Sequence, residues 1–278
     1  GRHTVSEADI QAVVDVLRSD FLTQGPAVPA FEEAVASYCQ VRHGVAVNSA
    51  TSALHIACLA LGLGPGDWLW TSPITFVASA NCGLYCGAQV DFVDIDPRTF
   101  NLCPVELEKK LEQAKQQGKL PKVVVPVHMC GQPCDMAAIH ALSVKYGFKI
   151  IEDASHAIGA KYKGEPVGNC RYSDITVFSF HPVKIITTGE GGMVITESAA
   201  LIEKVRVLRD HGASRTDLAR HTGPKAFLLA ELRQNMEDLK AQGLRGVSIV
   251  QSMLSHAREG AGEFQPVDLV EISMMRSR

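Results

Sequence analysis

The feature that most constrains the fold of this chain is an alternation of short apolar runs with longer segments of helical periodicity. The apolar runs are predicted to be strands, and they lie at Val45–Val47, Trp68–Thr71, Gln89–Val93, Val123–Val127, Lys149–Ile151, Ile175–Phe178 and Met193–Thr196. Helices are predicted at Ser6–Leu17, in a segment that ends near Cys39, and at Ser52–Leu61, Pro104–Gln117 and Met136–Tyr146. Short buried strands that alternate with helices are typical of an α/β domain, so we predict a mostly parallel mixed sheet flanked by helices.

Composition argues against several classes of partner. The formal net charge of −3 gives no electrostatic reason to expect nucleic acid or an anionic membrane surface. No window approaches the roughly 18 uncharged apolar residues of a membrane span. Eight cysteines follow no apolar signal segment, so we interpret them as reduced thiols of a cytoplasmic protein.

A first candidate site lies where the strand at Val45–Val47 runs into small and hydroxyl residues before a helix. Exposed N–H groups and the helix dipole make such a junction an anion site. Thr51 and Ser52 add hydroxyl donors suited to a phosphate. A simple helix cap explains the same residues equally well.

A second candidate follows the strand at Lys149–Ile151. Asp153 is interpreted either as a turn or capping residue or as the partner that keeps a heterocyclic nitrogen protonated. His156 is interpreted either as a polar group that faces a ligand or as a buried histidine with its hydrogen bonds satisfied. Nothing in this segment alone decides between these alternatives.

A third candidate is Lys184, which follows a strand and precedes two isoleucines and a glycine-rich turn. An apolar setting lowers the pKa of a lysine and suits Schiff-base chemistry. The alternative is a surface lysine whose stem lies along the protein. Phe76, in the segment Thr71–Phe76, is interpreted as a stacking partner for a planar cofactor or as a core residue.

Taken in this order, the four motifs resemble the sugar aminotransferases of the DegT/DnrJ/EryC1/StrS family across about residues 1–215. The most specific pieces are Asp-Ala-Ser-His at 153–156 and Ser-Phe-His-Pro-Val-Lys at 179–184. The resemblance implies the large domain of a fold-type I enzyme that depends on pyridoxal 5'-phosphate. It implies that Lys184 binds the cofactor covalently, that Asp153 pairs with its ring nitrogen and that Phe76 stacks on its ring. It further implies that the phosphate is bound by Thr51, Ser52 and Ser179. It also implies that His156 lies near the edge of the cofactor.

Within the family, the opening residues, the stretch Ser19–Pro26 and the context of Lys184 most resemble the aminotransferases of pseudaminic acid biosynthesis. This resemblance implies a UDP-linked 4-keto-6-deoxy-N-acetylhexosamine as substrate, glutamate as amino donor and a homodimer.

The motifs do not continue beyond about residue 215, and a C-terminal small domain is therefore expected to be missing or divergent. We predict a large domain at 1–215, with an N-terminal helical segment, and a divergent, partly helical tail at 216–278 whose helix spans Lys225–Lys240. Two rival hypotheses follow from the family. One is an inactive binding or scaffold protein, and the other is a sugar dehydratase, in which a histidine replaces the lysine.

Two further classes are disfavoured by spacing. His128, Cys130 and Cys134, or Cys82 and Cys86, lack the paired Cys-x-x-Cys pattern of a structural zinc site, so we expect no metal. No Gly-x-Gly-x-x-Gly follows an early strand, which argues against a dinucleotide-binding Rossmann enzyme.

Overall fold

A computed structural model describes residues 4–23 and 25–212 of the chain. Its helices are α1 (Glu7–Arg18), α2 (Ala27–Cys39), α3 (Ala50–Ala60), α4 (Ala78–Tyr85), α5 (Pro104–Gln117), α6 (Met136–Tyr146) and α7 (Ala199–Arg209). Its strands are β1 (His43–Val47), β2 (Trp68–Thr71), β3 (Gln89–Phe92), β4 (Val123–Val125), β5 (Lys149–Asp153), β6 (Lys161–Tyr162), β7 (Glu165–Pro166), β8 (Ile175–Ser179) and β9 (Gly192–Thr196).

Seven of these strands form one sheet in the order β1-β9-β8-β5-β4-β2-β3. The pairs from β3 through β8 are parallel, whereas β9 runs antiparallel to both of its neighbours. The predicted α/β class with a mostly parallel mixed sheet is thus confirmed. Because β2, β4, β5 and β8 are parallel, their carboxyl ends meet at one edge, where open α/β sheets bind ligands.

Both faces of the sheet are buried, as the short runs of β-branched residues predict. Val123 and Val125 pack with residues of α3, α4 and α7, while Val124 between them packs with residues of α5 and α6. The helices therefore form a layer on each side of the sheet, and the sheet edge between the layers stays free for a site.

The seven predicted strands are all present, with ends that shift by at most two residues, and the five helices predicted before residue 215 are also present. Ser6 caps α1 as expected, with its side chain accepting a hydrogen bond from the amide of Asp9. The sequence did not predict α4, α7 or the small β6-β7 hairpin. No helix in the described ranges has the length and apolar character needed to cross a bilayer. The domain boundary at 215 and the helix at Lys225–Lys240 lie outside the described residues.

Candidate functional site

A cavity of about 580 Å³ lies at the carboxyl edge of the parallel strands. Six of the seven predicted site residues line it, contributed by α3, the β2–α4 loop, β5, β8 and the segments after β5 and β8: Thr51, Phe76, Asp153, His156, Ser179 and Lys184. The seventh, Ser52, is not part of the cavity wall. It lies in the first turn of α3, where its hydroxyl accepts a hydrogen bond from the Ser49 hydroxyl at 3.1 Å.

Asp153 is the most firmly held of these residues. It is the last residue of β5 and only 4% exposed. The Ser79 hydroxyl donates to its Oδ2 at 2.7 Å, and Ser155 donates to its Oδ1 through the hydroxyl at 2.6 Å and the amide at 3.2 Å. A carboxylate offers about four acceptor positions. Three are occupied here, so Asp153 retains one for a donor in the cavity.

Lys184 lies across the cavity in the segment between β8 and β9. Burial lowers the pKa of its ammonium, and the charge of Asp153 partly opposes that shift. The pKa of His156 is also lowered, first by burial and then by Lys184, while Asp153 opposes both. Both shifts favour the neutral side chains, so Lys184 is closer to a nucleophilic amine than an ordinary surface lysine.

Phe76 is not a core residue, because 70% of its surface is exposed while it lines the cavity. It lies two residues before the start of α4, and Ser79 of that helix donates a hydrogen bond to Asp153. The hydroxyls of Thr75 and Ser79 are 2.7 Å apart, which ties the Phe76 loop to the buried carboxylate. This geometry favours the stacking interpretation over core filling.

The opposite end of the cavity is the N-terminus of α3. The Ser49 side chain and carbonyl accept hydrogen bonds from the amides of Ser52 and Ala53. In the described part of the chain, the amides of Ala50 and Thr51 have no such acceptor. Two free amides at a helix N-terminus are suited to bind an anion, so the anion site that the sequence indicates at this junction stays a prediction.

Glycine is required where β9 meets this helix. A Cβ atom on Gly192 would lie 2.4 Å from the Ser49 carbonyl carbon and 2.5 Å from the Ala50 nitrogen. Ser179 is 6% exposed and pairs with Gly192 in the sheet. This pairing places Ser179 beside the same junction. The glycine-rich segment is thus a close backbone contact rather than only a flexible turn.

A buried polar pair, His128 and Glu152, borders the cavity through His128 and was not predicted. His128 accepts a hydrogen bond at Nδ1 from the amide of Cys134 at 3.2 Å, so Nε2 carries the proton and donates to Glu152 at 2.8 Å. Ser173 and Thr176 also donate to Glu152. This network supports the strand that ends in Asp153.

The zinc hypothesis for His128, Cys130 and Cys134 finds no geometric support. Among the described residues no group of three or more His, Cys, Asp or Glu side chains is arranged to hold a metal ion. Cys130 is exposed, whereas Cys134 is buried and donates its thiol to the Val127 carbonyl at 3.2 Å.

The whole-chain comparison decides the family. A model of the DegT/DnrJ/EryC1/StrS aminotransferase family matches residues 3–262. The chain belongs to this family. The match continues past the end of the resemblance at about residue 215, into the segment that the motifs alone did not connect to the family.

Two curated relatives illustrate the range of similar proteins. The chain is 39% identical over 266 residues to the Bacillus subtilis spore coat polysaccharide biosynthesis protein SpsC, which covers 94% of this chain and 66% of that protein. It is 43% identical over 208 residues to the Campylobacter jejuni UDP-4-amino-4,6-dideoxy-N-acetyl-beta-L-altrosamine transaminase, covering 75% of this chain and 54% of the relative. The chain therefore spans about half to two thirds of the length of these relatives.

Solved structures show the same fold. Helicobacter pylori PseC, an aminotransferase involved in pseudaminic acid biosynthesis, is 34% identical with a TM-score of 0.72 and covers 78% of this chain and 56% of its own. The pyridoxal-phosphate form of Streptococcus pneumoniae Spr1654 is 31% identical with a TM-score of 0.68, covering 77% and 58%. The large-domain fold of the pyridoxal-phosphate-dependent aminotransferases is thereby confirmed, and pyridoxal phosphate is the cofactor of this family.

The residues of the cavity fit this cofactor. Asp153 keeps an acceptor position for a ring nitrogen, and Lys184 supplies an amine with a lowered pKa. Phe76 offers an exposed ring, and Gly192 allows β9 to lie against the N-terminus of α3, whose free amides suit a phosphate. A volume of about 580 Å³ is also in the range of small-molecule sites.

Proposed function

We propose that this protein transfers an amino group from glutamate to the 4-keto carbon of a nucleotide-linked 4-keto-6-deoxy sugar, with pyridoxal phosphate bound at Lys184. The observation that carries the proposal is the pairing of Lys184 with Asp153 across one cavity. The amine has a lowered pKa, and the carboxylate is buried with a free acceptor position. Family membership supports the reaction class.

Bound pyridoxal phosphate supplies an electron-accepting ring that carries the amino nitrogen between donor and acceptor. The protein's residues do the rest. Asp153 holds a proton on the ring nitrogen, and the donors Ser79 and Ser155 fix the direction in which its carboxylate points. Lys184 binds the cofactor as a neutral amine and, once displaced, moves a proton through its Nζ.

The remaining residues position the cofactor. Thr51 and Ser179 contribute hydroxyls beside the free amides of α3, and we assign these groups and Ser52 to the phosphate. We assign Phe76 to one face of the ring and His156 to its edge. A retained lysine at 184 argues against the dehydratase alternative, and the placement of Lys184 and Asp153 in one cavity argues against an inactive scaffold.

For the sugar, we propose a UDP-linked 4-keto-6-deoxy-N-acetylhexosamine of pseudaminic acid biosynthesis. Two relatives support this choice by their names, the Campylobacter jejuni transaminase and Helicobacter pylori PseC. Bacillus subtilis SpsC is named for spore coat polysaccharide biosynthesis and its name states no sugar, so the nucleotide and the sugar are what the assay has to discriminate.

We also propose a cytoplasmic homodimer. All eight cysteines are free thiols, which is typical of a reducing compartment. Beside the cavity, Phe76, Val183 and Ile185 are more than 60% exposed, at 70%, 68% and 63%. Apolar side chains grouped in this way mark a surface that another protein surface covers.

The test is an assay of the purified 278-residue chain with added pyridoxal phosphate, glutamate and the UDP-linked keto sugar. We expect 2-oxoglutarate and amino sugar to form in equal amounts, and neither to form with Lys184→Ala. GDP- and dTDP-linked keto sugars serve as competing substrates. Cofactor binding without 2-oxoglutarate formation would favour the scaffold hypothesis, and light scattering would reject the dimer if the active species is a monomer.

A further inference from the structure

The buried serine Ser79 contacts three parts of the cofactor site at once. It lies in the first turn of α4 and has no exposed surface. Its hydroxyl donates to Oδ2 of Asp153 at 2.7 Å and lies 2.7 Å from the hydroxyl of Thr75. Its amide donates to the carbonyl of Phe76 at 3.1 Å. Ser79 therefore connects the buried carboxylate with the loop that carries the exposed aromatic ring.

The direction of these hydrogen bonds follows from the number of protons that each hydroxyl carries. A serine hydroxyl has one proton, and Ser79 donates it to Asp153. In the contact between the two hydroxyls, Thr75 must therefore be the donor and Ser79 the acceptor. The result is a chain of hydrogen bonds from Thr75 through Ser79 to Asp153, in which each bond polarises the next. Because Thr75 lines the cavity, this chain begins at the surface that a bound ligand contacts.

The two carboxylate oxygens of Asp153 have different surroundings. Oδ1 accepts hydrogen bonds from the hydroxyl of Ser155 at 2.6 Å and from its amide at 3.2 Å. Among the described residues, Ser79 is the one donor to Oδ2. Each carboxylate oxygen has about two acceptor positions, so both positions of Oδ1 are occupied. The open acceptor position of Asp153 is therefore on Oδ2, the oxygen that Ser79 holds.

We propose that Ser79 is a positioning residue that directs Oδ2 of Asp153 toward the ring nitrogen of pyridoxal phosphate. This inference rests on the role of Asp153 in the proposed function and deepens it. Without the Ser79 hydroxyl, the carboxylate is held through Oδ1 alone and can rotate about its bond to Cβ. Because the Ser79 amide also holds the Phe76 carbonyl, the same turn of α4 fixes the partner of the ring nitrogen and the residue assigned to the ring face.

The experiment compares the binding of two compounds to the purified 278-residue chain. One is pyridoxal phosphate, and the other is 1-deazapyridoxal phosphate, in which a carbon atom replaces the ring nitrogen. Isothermal titration calorimetry gives both dissociation constants, and their ratio reports on the contact at the ring nitrogen. We expect the unmodified protein to prefer pyridoxal phosphate and Ser79→Ala to reduce this preference about 10-fold, the effect of one hydrogen bond to a charged group. A merely structural role of Ser79 would weaken the binding of both compounds equally and leave the ratio unchanged.

Further variants sharpen the comparison. Thr75→Val removes the first donor of the chain but keeps Ser79, so the preference for pyridoxal phosphate should fall less than in Ser79→Ala. Ser143→Ala is the matched control, because it removes a hydroxyl that donates to the His140 carbonyl within α6, and the preference should not change. If Ser79→Ala does not fold, Ser79→Cys provides the same comparison, since a thiol fills the space of the hydroxyl but is a weak donor.

Asp153→Asn separates this inference from the proposed function. If Asp153→Asn abolishes the preference while Ser79→Ala leaves it intact, Ser79 is not a positioning residue and the role of Asp153 stands. If the preference survives in Asp153→Asn, the carboxylate does not contact the ring nitrogen, and both the role of Asp153 and the inference about Ser79 are wrong. Loss of the preference in both variants, with unchanged binding of 1-deazapyridoxal phosphate, supports the two assignments together.

Discussion

The two sides of the cofactor cavity are built on different principles. On one side, Asp153 ends a central strand, is 4% exposed, and receives hydrogen bonds from Ser79 and Ser155. On the other side, Lys184 lies in the segment between β8 and β9, where Val183 and Ile185 are 68% and 63% exposed. Phe180 anchors the base of that segment through hydrogen bonds between its amide and the Gly191 carbonyl and between its carbonyl and the Thr188 amide.

The difference separates two requirements of the proposed reaction. The carboxylate that pairs with the ring nitrogen has to stay in one position and keep that nitrogen protonated during the whole reaction. Burial at the end of a sheet strand holds the carboxylate in place. The lysine has to leave the cofactor and return, and a loop permits that movement more readily than a strand does.

The largest effect is expected on the lysine side. Lys184→Ala removes both the covalent attachment and the proton carrier, so turnover should fall by roughly 10⁴-fold, near the upper end of what a general acid–base group contributes. Borohydride reduction followed by peptide mapping should place the pyridoxyl group on Lys184 in the unmodified protein and on no residue in the variant. Lys119→Ala, at an exposed lysine, is the control. Label on another lysine, with none on Lys184, would reject the assignment.

A smaller loss of turnover is expected on the strand side. Asp153→Asn keeps the shape of the side chain but replaces a carboxylate with an amide that cannot hold a proton on the ring nitrogen. Cofactor should still bind, while turnover falls by roughly 10²-fold, as for removal of one preorganised electrostatic contact. Absorbance titration with pyridoxal phosphate measures cofactor binding, and the 2-oxoglutarate assay measures turnover. Transamination at the rate of the unmodified protein would exclude the role of Asp153.

The third prediction concerns the phosphate end, where both sides meet α3. Gly192→Ala places a methyl group 2.4 Å from the Ser49 carbonyl carbon, so the backbone must shift and unfolding free energy should fall by about 1–3 kcal/mol. Affinity for pyridoxal phosphate should fall with it. Gly64→Ala is the matched control, because no atom lies within 4 Å of its added Cβ. Equal stability and affinity for the two variants in urea and cofactor titrations would contradict the proposed close contact.

The periodic parts of this fold were predictable because their pattern is local. The strands at Val123–Val125 and Ile175–Ser179 are runs of β-branched and apolar residues, and α5 and α6 have the exact bounds that periodicity indicated. Helix α4 was missed because it contains Gly83 and lacks a clear apolar stripe. That glycine reflects tertiary packing, since a Cβ there would lie 3.1 Å from Leu69 and 3.0 Å from Val90.

The site divides in the same way. The segment from Asp153 to His156 includes Ser155, so one hydrogen-bond donor to the Asp153 carboxylate could be predicted from the local sequence. Ser79 was not, because 74 residues separate it from Asp153 and only the packing of α4 on the sheet brings them together. Glu152 is buried against His128, a partner 24 residues away, and the local sequence does not indicate that contact. The family resemblance implies roles for the site residues, and the structure adds the hydrogen bonds that hold Asp153 and Glu152 in place.

The smallest expected effect is a shift in a pH profile, and it couples the two sides directly. Burial lowers the pKa of Lys184 from the ordinary value of 10.5, and Asp153 partly opposes this. Because only the neutral amine attacks the cofactor aldehyde, the rate of covalent binding should rise with pH and level off at a lower pH than for a free alkyl amine. Asp153→Asn removes the opposing charge, so the same profile should move to still lower pH. Stopped-flow absorbance across the alkaline range measures both profiles. An unchanged profile in Asp153→Asn would show that the carboxylate does not act on Lys184 through its charge, and the two sides of the cavity would then have to be treated as electrostatically independent.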